Sequence, residues 1–120
     1  MEEINSMQQV DLEKLTWNTT KIAINDLIEY EHNPRSMSKK DFEKLVKSLK
    51  EDSYHQRIMI DTKNVIIGGH SRRKALLAAG YRPSDLIEVL RSSRPLSEDE
   101  FKRLNIRDNL SFGDFDFDIL

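Results

Sequence analysis

The stretch "VIIGGHSRRKALLAAGY", from Val65 to Tyr81, decides the fold because it leads from a buried strand into a helix through a glycine pair. The β-branched residues at its start are typical of a strand. Gly68 and Gly69 permit positive φ angles and allow a ligand to approach the backbone closely. The first N–H groups of a helix have no partner within that helix, so such a junction can bind an anion.

The densest positive charge of the chain falls at this junction. Arg72, Arg73 and Lys74 lie in the first turn of the predicted helix, which Ser71 or Gly69 caps. Cations at a helix N-terminus are unfavourable, and this indicates a bound anion. Phosphate suits both the N–H groups and a bidentate guanidinium. The alternative is that the basic residues form a solvated surface, and the spacing matches neither a Walker loop nor a dinucleotide fingerprint.

The rest of the pattern predicts one small α/β (α+β) domain with a mixed sheet and packed helices. We expect an N-terminal arm or added strand over residues 1–20, the domain over 21–111 and an acidic, aromatic tail over 112–120. Helix signals are the Ser38 cap before an apolar stripe and the Ser97/Glu100 capping box. The predicted strands are Lys21–Ile24, Arg57–Ile60, Val65–Gly68 and Leu86–Leu90, and a helix from about Ser71 to Ala79 ends at Gly80.

Composition limits the classes of function. The chain of 120 residues has no cysteine, which excludes disulfides, thiolate metal sites and a cysteine nucleophile. A net charge of −2 argues against a protein that coats nucleic acid by bulk charge. No apolar run is long enough for a membrane span, and no signal peptide is recognisable, so we expect a cytoplasmic protein without membrane partners.

Four motifs in order resemble the N-terminal domain of the ParB family, within the ParB/sulfiredoxin superfamily. They are "NPRSMSKKDFEKLVKSLKED" (33–52), "HQRIMI" (55–60), "IIGGHSRRKALLAAG" (66–80) and "LNIRDN" (104–109). The ending is similar to ParB-like domains of phages and mobile elements that accompany DNA methyltransferases. The resemblance implies a ParB/sulfiredoxin-like fold and a role in DNA modification, partition or phage DNA metabolism.

The resemblance also implies that the chain binds a nucleoside triphosphate, CTP or ATP, with Mg²⁺. Asp108 and Asn109 match a Glu-Asn step of the family, so Asn109 is the expected metal ligand and Asp108 an expected catalytic residue. His70 is the second expected catalytic residue, because it lies inside the anion motif. His70 replaces the family's glutamate, and Ser71 replaces its first arginine. The residues expected to bind nucleotide or phosphate are Asn33, Arg35, Gly68, Gly69, His70, Ser71, Arg72 and Arg73.

Other functions remain open at this point. The absence of cysteine excludes sulfiredoxin chemistry, whereas a serine-type kinase with Asp108 as base is compatible with the sequence. A metal-dependent nuclease would use His70 with Asp108, Asp114, Asp116 and Asp118. The basic patch predicts non-specific binding of DNA phosphates. An adaptor would bind a partner, such as a methyltransferase or another phage or partition protein, through the 112–120 tail, and a homodimer is a further expectation.

Overall fold

The computed structural model describes residues 14–33 and 37–113, with side chains up to residue 110. This part of the chain forms a mixed sheet and three α-helices, as the sequence predicted. The strands are β1 (Trp17–Ala23), β2 (Ile58–Ile60), β3 (Ile66–Gly68) and β4 (Leu86–Ser92), and the helices are α1 (Lys39–Asp52), α2 (His70–Ala78) and α3 (Glu98–Gly113). A single 3₁₀ turn (Ile24–Asp26) follows β1 in the described residues.

The sheet has the order β1-β4-β2-β3. β1 runs antiparallel to β4, β2 runs parallel to β4, and β2 and β3 form the predicted antiparallel hairpin. In its turn, the Asp61 carboxylate accepts the N–H groups of Lys63 and Val65, and Asn64 adopts a φ of 70°. β1 begins at Trp17, so the strand crosses the boundary that we placed between residues 20 and 21.

The core lies between one face of the sheet and the helices α1 and α2. The sheet contributes buried isoleucine and valine side chains, and α1 contributes the apolar stripe seen in the sequence. As predicted, Ser38 caps α1, because its Oγ accepts the N–H of Asp41 at 3.1 Å. The core residues from the sheet and these two helices include Ile22, Ile58, Ile60, Ile66, Ile87, Val89, Leu49, Ala75 and Leu76, and Phe42, Leu45 and Val46 pack against them.

Helix α2 has a glycine at each end, and the two glycines cap the helix in different ways. Gly69 is the N-cap, with a φ of 101° and no side-chain cap, so Ser71 lies inside the helix. At the other end the Gly80 N–H donates to Leu77 O and the Tyr81 N–H donates to Leu76 O. This is a Schellman motif with Gly80 at C′, as predicted, and its φ of 107° suits only glycine.

Helix α3 begins at the predicted capping box, in which Ser97 Oγ accepts the Glu100 N–H and Glu100 accepts the Ser97 N–H. The helix continues to Gly113, beyond the domain end predicted at residue 111. It packs on β3, and its buried Phe101 contacts Tyr30, with the ring centroids 4.5 Å apart. The remainder of the predicted tail, residues 114–120, lies outside the described residues. None of the described helices has the length and apolar character that crossing a bilayer requires.

Candidate functional site

A cavity of about 330 Å³ lies where the N-terminal ends of α1 and α2 meet α3. This volume is within the range of small-molecule sites. The fold brings together residues that are far apart in sequence and that we predicted as site residues. They are Asn33, Gly69, His70, Ser71, Arg72, Asp108 and Asn109, and the other lining residues in the described part of the chain are Met37, Asp41, Leu45 and Gln56.

The glycine pair, Gly68 and Gly69, shapes this site because neighbouring side chains can approach its backbone closely. A Cβ on Gly69 would lie 3.0 Å from Ile58 Cγ1, and the left-handed φ would strain any other residue. A Cβ on Gly68 would lie 2.5 Å from the Asp108 Cγ, so the missing side chain leaves room for the Asp108 carboxylate. Gly68 itself does not line the cavity. Its contribution in this structure is to let α3 approach β3.

Asp108 projects from α3 to the start of α2. Its carboxylate accepts a hydrogen bond from the Gly69 N–H and interacts with the Arg72 guanidinium. Burial raises the pKa of Asp108, while Arg72 and the Gly69 hydrogen bond act in the opposite direction. Arg72 also donates its Nη2 to Gln56 Oε1 at 2.6 Å. The predicted phosphate-binding arginine therefore lies in the cavity, held between two acceptors of the protein.

Two N–H groups at the start of α2 have no acceptor among the residues that the structure describes. The N–H groups of Arg72 and Arg73 donate to Gly69 O, as expected for the first helical turn. Those of His70 and Ser71 make no hydrogen bond with any other described residue. Both residues line the cavity. Together with the helix dipole, these donors are suited to hold an anionic oxygen.

His70 has a structural task at this end of the helix. Its Nε2 accepts the backbone N–H of Tyr30 at 3.1 Å, which ties the 27–33 segment to α2. Burial is the main reason that the pKa of His70 falls to about 4, with Glu29 raising it and Lys74 lowering it. The ring is therefore neutral at pH 7, with its proton on Nδ1. Because the Nε2 lone pair already accepts the Tyr30 N–H, this geometry favours a positioning role for His70 over the catalytic role predicted from the sequence.

The three basic residues do not form one patch. Arg73 points away from the cavity, where its Nε donates to Ile24 O at 3.3 Å and its Nη1 lies 3.6 Å from the Glu29 carboxylate. Only 19% of the Arg73 side chain is exposed. Lys74 is exposed to solvent. The structure therefore separates Arg72, a cavity residue, from Arg73, which fastens α2 to the segment after β1.

Asn105 is a site-supporting residue that sequence reasoning missed. It is 2% exposed, and its Nδ2 donates to Ile67 O at 2.9 Å and to Asn33 Oδ1 at 3.1 Å. It thus connects α3 to β3 and to the cavity wall. Four residues later, Asn109 donates its Nδ2 to Asn105 O at 2.9 Å. The sequence signal that could have identified Asn105 is its spacing: it follows Phe101 by four residues and so lies on the same buried face of α3.

Several of the residues predicted for the site or for a metal centre lie outside the described part of the chain. Arg35 lies outside the described residues, as do Asp114, Asp116 and Asp118 of the nuclease hypothesis. Within residues 14–33 and 37–110, no three histidine or carboxylate side chains come together in a way that could hold a metal ion. The predicted metal ligand Asn109 and the carboxylate of Asp108 nevertheless line the same cavity.

Comparison with known proteins identifies the fold. No protein-family model matches the chain, and no curated protein sequence does. Among solved structures, two structures of pNOB8-like ParB N-domains match, each with 22% identity. Their TM-scores are 0.65 and 0.60, over 83% and 76% of this chain and 38% and 32% of theirs.

A third match is the C-terminally truncated chromosome-partitioning protein ParB from Caulobacter crescentus, solved with CTP-γ-S. It has a TM-score of 0.66 at 22% identity, over 82% of this chain and 56% of that chain. The chain therefore has the fold of a ParB N-terminal domain, as the motif resemblance predicted. It spans between about a third and just over half of the matched chains.

Proposed function

We propose that the chain is a ParB-like module that binds the phosphates of a nucleoside triphosphate, CTP or ATP, together with Mg²⁺. One observation carries the proposal: His70, Ser71 and Arg72 line one cavity of about 330 Å³, and no described residue accepts the N–H groups of His70 and Ser71. The CTP-γ-S complex of the Caulobacter ParB supports this choice of ligand, because that protein has the same fold.

Mg²⁺ fits the charge of this site. Among the described lining residues, Asp41 and Asp108 carry negative charge, Arg72 carries positive charge, and His70 is neutral at pH 7. A triphosphate therefore needs additional positive charge, which a divalent cation supplies by neutralising phosphate oxygens. Asp108 and Asn109 offer the oxygen ligands that Mg²⁺ prefers. Arg72 and the start of α2 would orient the phosphates.

The cellular role proposed with this binding is DNA partition, DNA modification or phage DNA metabolism. A methyltransferase or partition protein as partner, non-specific DNA binding and a homodimer remain predictions. DNA binding at the α2 junction is the weakest of them, because Arg73 is turned to Glu29 and Arg72 lies in the cavity. A nuclease or serine-type kinase would share the same cavity, with Asp108 as the acidic group.

Isothermal titration calorimetry with CTP, ATP, GTP and ADP, each with and without Mg²⁺, tests nucleotide binding. Arg72→Gln should weaken binding by about tenfold or more, because a guanidinium–phosphate contact is lost. Lys74→Gln is the matched control: it removes the same charge from the same helical turn, but from an exposed side chain outside the cavity. We expect less than about a twofold change for it. A folded protein that binds none of the nucleotides would refute the proposal.

A further inference from the structure

The carboxylate of Asp108 lies where a bound anion would lie at the start of α2. It accepts the N–H of Gly69, the N-cap residue, and it interacts with the guanidinium of Arg72. A helix N-terminus and a guanidinium both stabilise a nearby negative oxygen, whether it belongs to the protein or to a ligand. Asp108 thus uses two of the groups that phosphate would use.

This contact is fixed by the backbone of two elements. The Cβ that Gly68 lacks would lie 2.5 Å from Asp108 Cγ, so β3 leaves space for this one side chain of α3. Asn105, one turn earlier on α3, donates to Ile67 O in β3 and holds the helix against the strand. Burial of the Asp108 carboxylate opposes its ionisation, and the Gly69 N–H and Arg72 offset that cost.

The charges around the Asp108 carboxylate bring it into conflict with any phosphate that enters the cavity. From α2 the cavity presents the positive Arg72 and the neutral His70, and from α1 it presents the negative Asp41. A phosphate that enters must share Arg72 with Asp108 and must lie near its negative charge. At a separation of a few ångströms in a partly buried site, such repulsion has a large effect on affinity.

We infer that Asp108 competes with ligand phosphates for Gly69 and Arg72 and so determines which anions the cavity accepts. Free polyphosphates are rejected, and a polyphosphate binds when the carboxylate moves aside or is neutralised by a divalent cation that the ligand brings. This inference rests on the proposed function and defines how that same site discriminates. It makes Asp108 a specificity-determining residue whose effect depends on the metal.

The test is calorimetric titration of inorganic pyrophosphate, without divalent cations and at low salt, into the wild-type chain and into Asp108→Asn. The amide oxygen can still accept the Gly69 N–H, so the variant keeps this structural hydrogen bond. We expect pyrophosphate to bind Asp108→Asn about tenfold more tightly or better, because the like-charge repulsion is gone. Asp41→Asn is the matched control, with an expected gain of at most about threefold, since it neutralises a lining carboxylate that belongs to another helix, α1.

Backbone amide shifts of His70 and Ser71 in NMR spectra locate the bound anion, and circular dichroism verifies the fold of each variant. Pyrophosphate that binds the wild type as tightly as Asp108→Asn, or more tightly, overturns the inference alone. Equal gains for Asp41→Asn and Asp108→Asn also overturn it, because the effect would then be general electrostatics. If neither the wild type nor Asp108→Asn binds pyrophosphate or any nucleotide, the proposed phosphate site itself is refuted.

Discussion

Acidification should destabilise the fold through His70. The imidazole is neutral in the folded chain, where burial lowers its pKa to about 4, whereas an unfolded histidine has a pKa of 6.5. Between these values the unfolded state binds a proton that the folded state does not. The contribution of His70 to the free energy of unfolding should therefore be constant above about pH 7 and fall as the pH decreases from 6.5 towards 4.

The size of the effect follows from the two pKa values. Between pH 7 and pH 5, linkage gives a loss of about 2 kcal/mol if the full shift applies. His70 is only partly buried, so solvent screening reduces this to about 1 kcal/mol. Protonation would also remove the Nε2 lone pair that accepts the Tyr30 N–H. The loss should therefore appear together with release of the 27–33 segment from α2.

Urea denaturation followed by the fluorescence of Trp17, at pH 7 and at pH 5, measures this loss. His70→Gln is the control, because its amide oxygen can accept the Tyr30 N–H without titrating. Asp108 and all other titratable groups stay the same in both chains, so the difference between their pH slopes isolates His70. Identical slopes would refute the reasoning, as would an NMR titration of the His70 ring with a midpoint near 6.5.

Substitutions at three further positions test local features of the fold. Ser53, which follows α1, has φ 67° and ψ 175°, a region of backbone conformation that glycine favours. Ser53→Gly should therefore raise the free energy of unfolding measured in urea by about 1 kcal/mol, whereas Ser53→Ala should not raise it. Gly68→Ala should lower the free energy of unfolding by about 2 kcal/mol, because the added Cβ would clash with Asp108. Adding Asp108→Ala should restore most of the lost Tm, and a double variant without this recovery would contradict the contact. Tyr54→Phe should cost about 1–2 kcal/mol, since the hydroxyl accepts the Ile58 N–H at 3.0 Å, and hydrogen exchange at Ile58 should accelerate.

Features with a local physical cause could be predicted from the sequence. The spacing of Phe42, Leu45, Val46 and Leu49 places four apolar side chains on one helical face whatever the surroundings, and α1 follows it. The two N-terminal caps and the Schellman motif at Gly80 likewise depend on residues within one turn. These signals were sufficient for the order of helices and for the hairpin.

Features that depend on pairing between distant segments were not accessible. Residues 17–20 have no periodicity of their own, so the sequence left an arm and an added strand as alternatives, and pairing with β4 from Ser92 to Val89 makes them a strand. The orientation of Arg73 is of the same kind, since Ile24 O and Glu29, more than forty residues earlier, determine it. The tether by Asn105 also required knowing that α3 crosses β3.

The cations at the start of α2 therefore do not by themselves require a ligand. Asp108 already supplies a negative charge to Arg72 and the Gly69 N–H, and Glu29 supplies one to Arg73. The observation that supports a ligand is the pair of helix-initial N–H groups at His70 and Ser71, for which the described residues offer no acceptor. An anion that binds there must approach Asp108. The response of the Asp108→Asn variant to metal-free pyrophosphate therefore distinguishes a ligand site from a helix end that the protein neutralises internally.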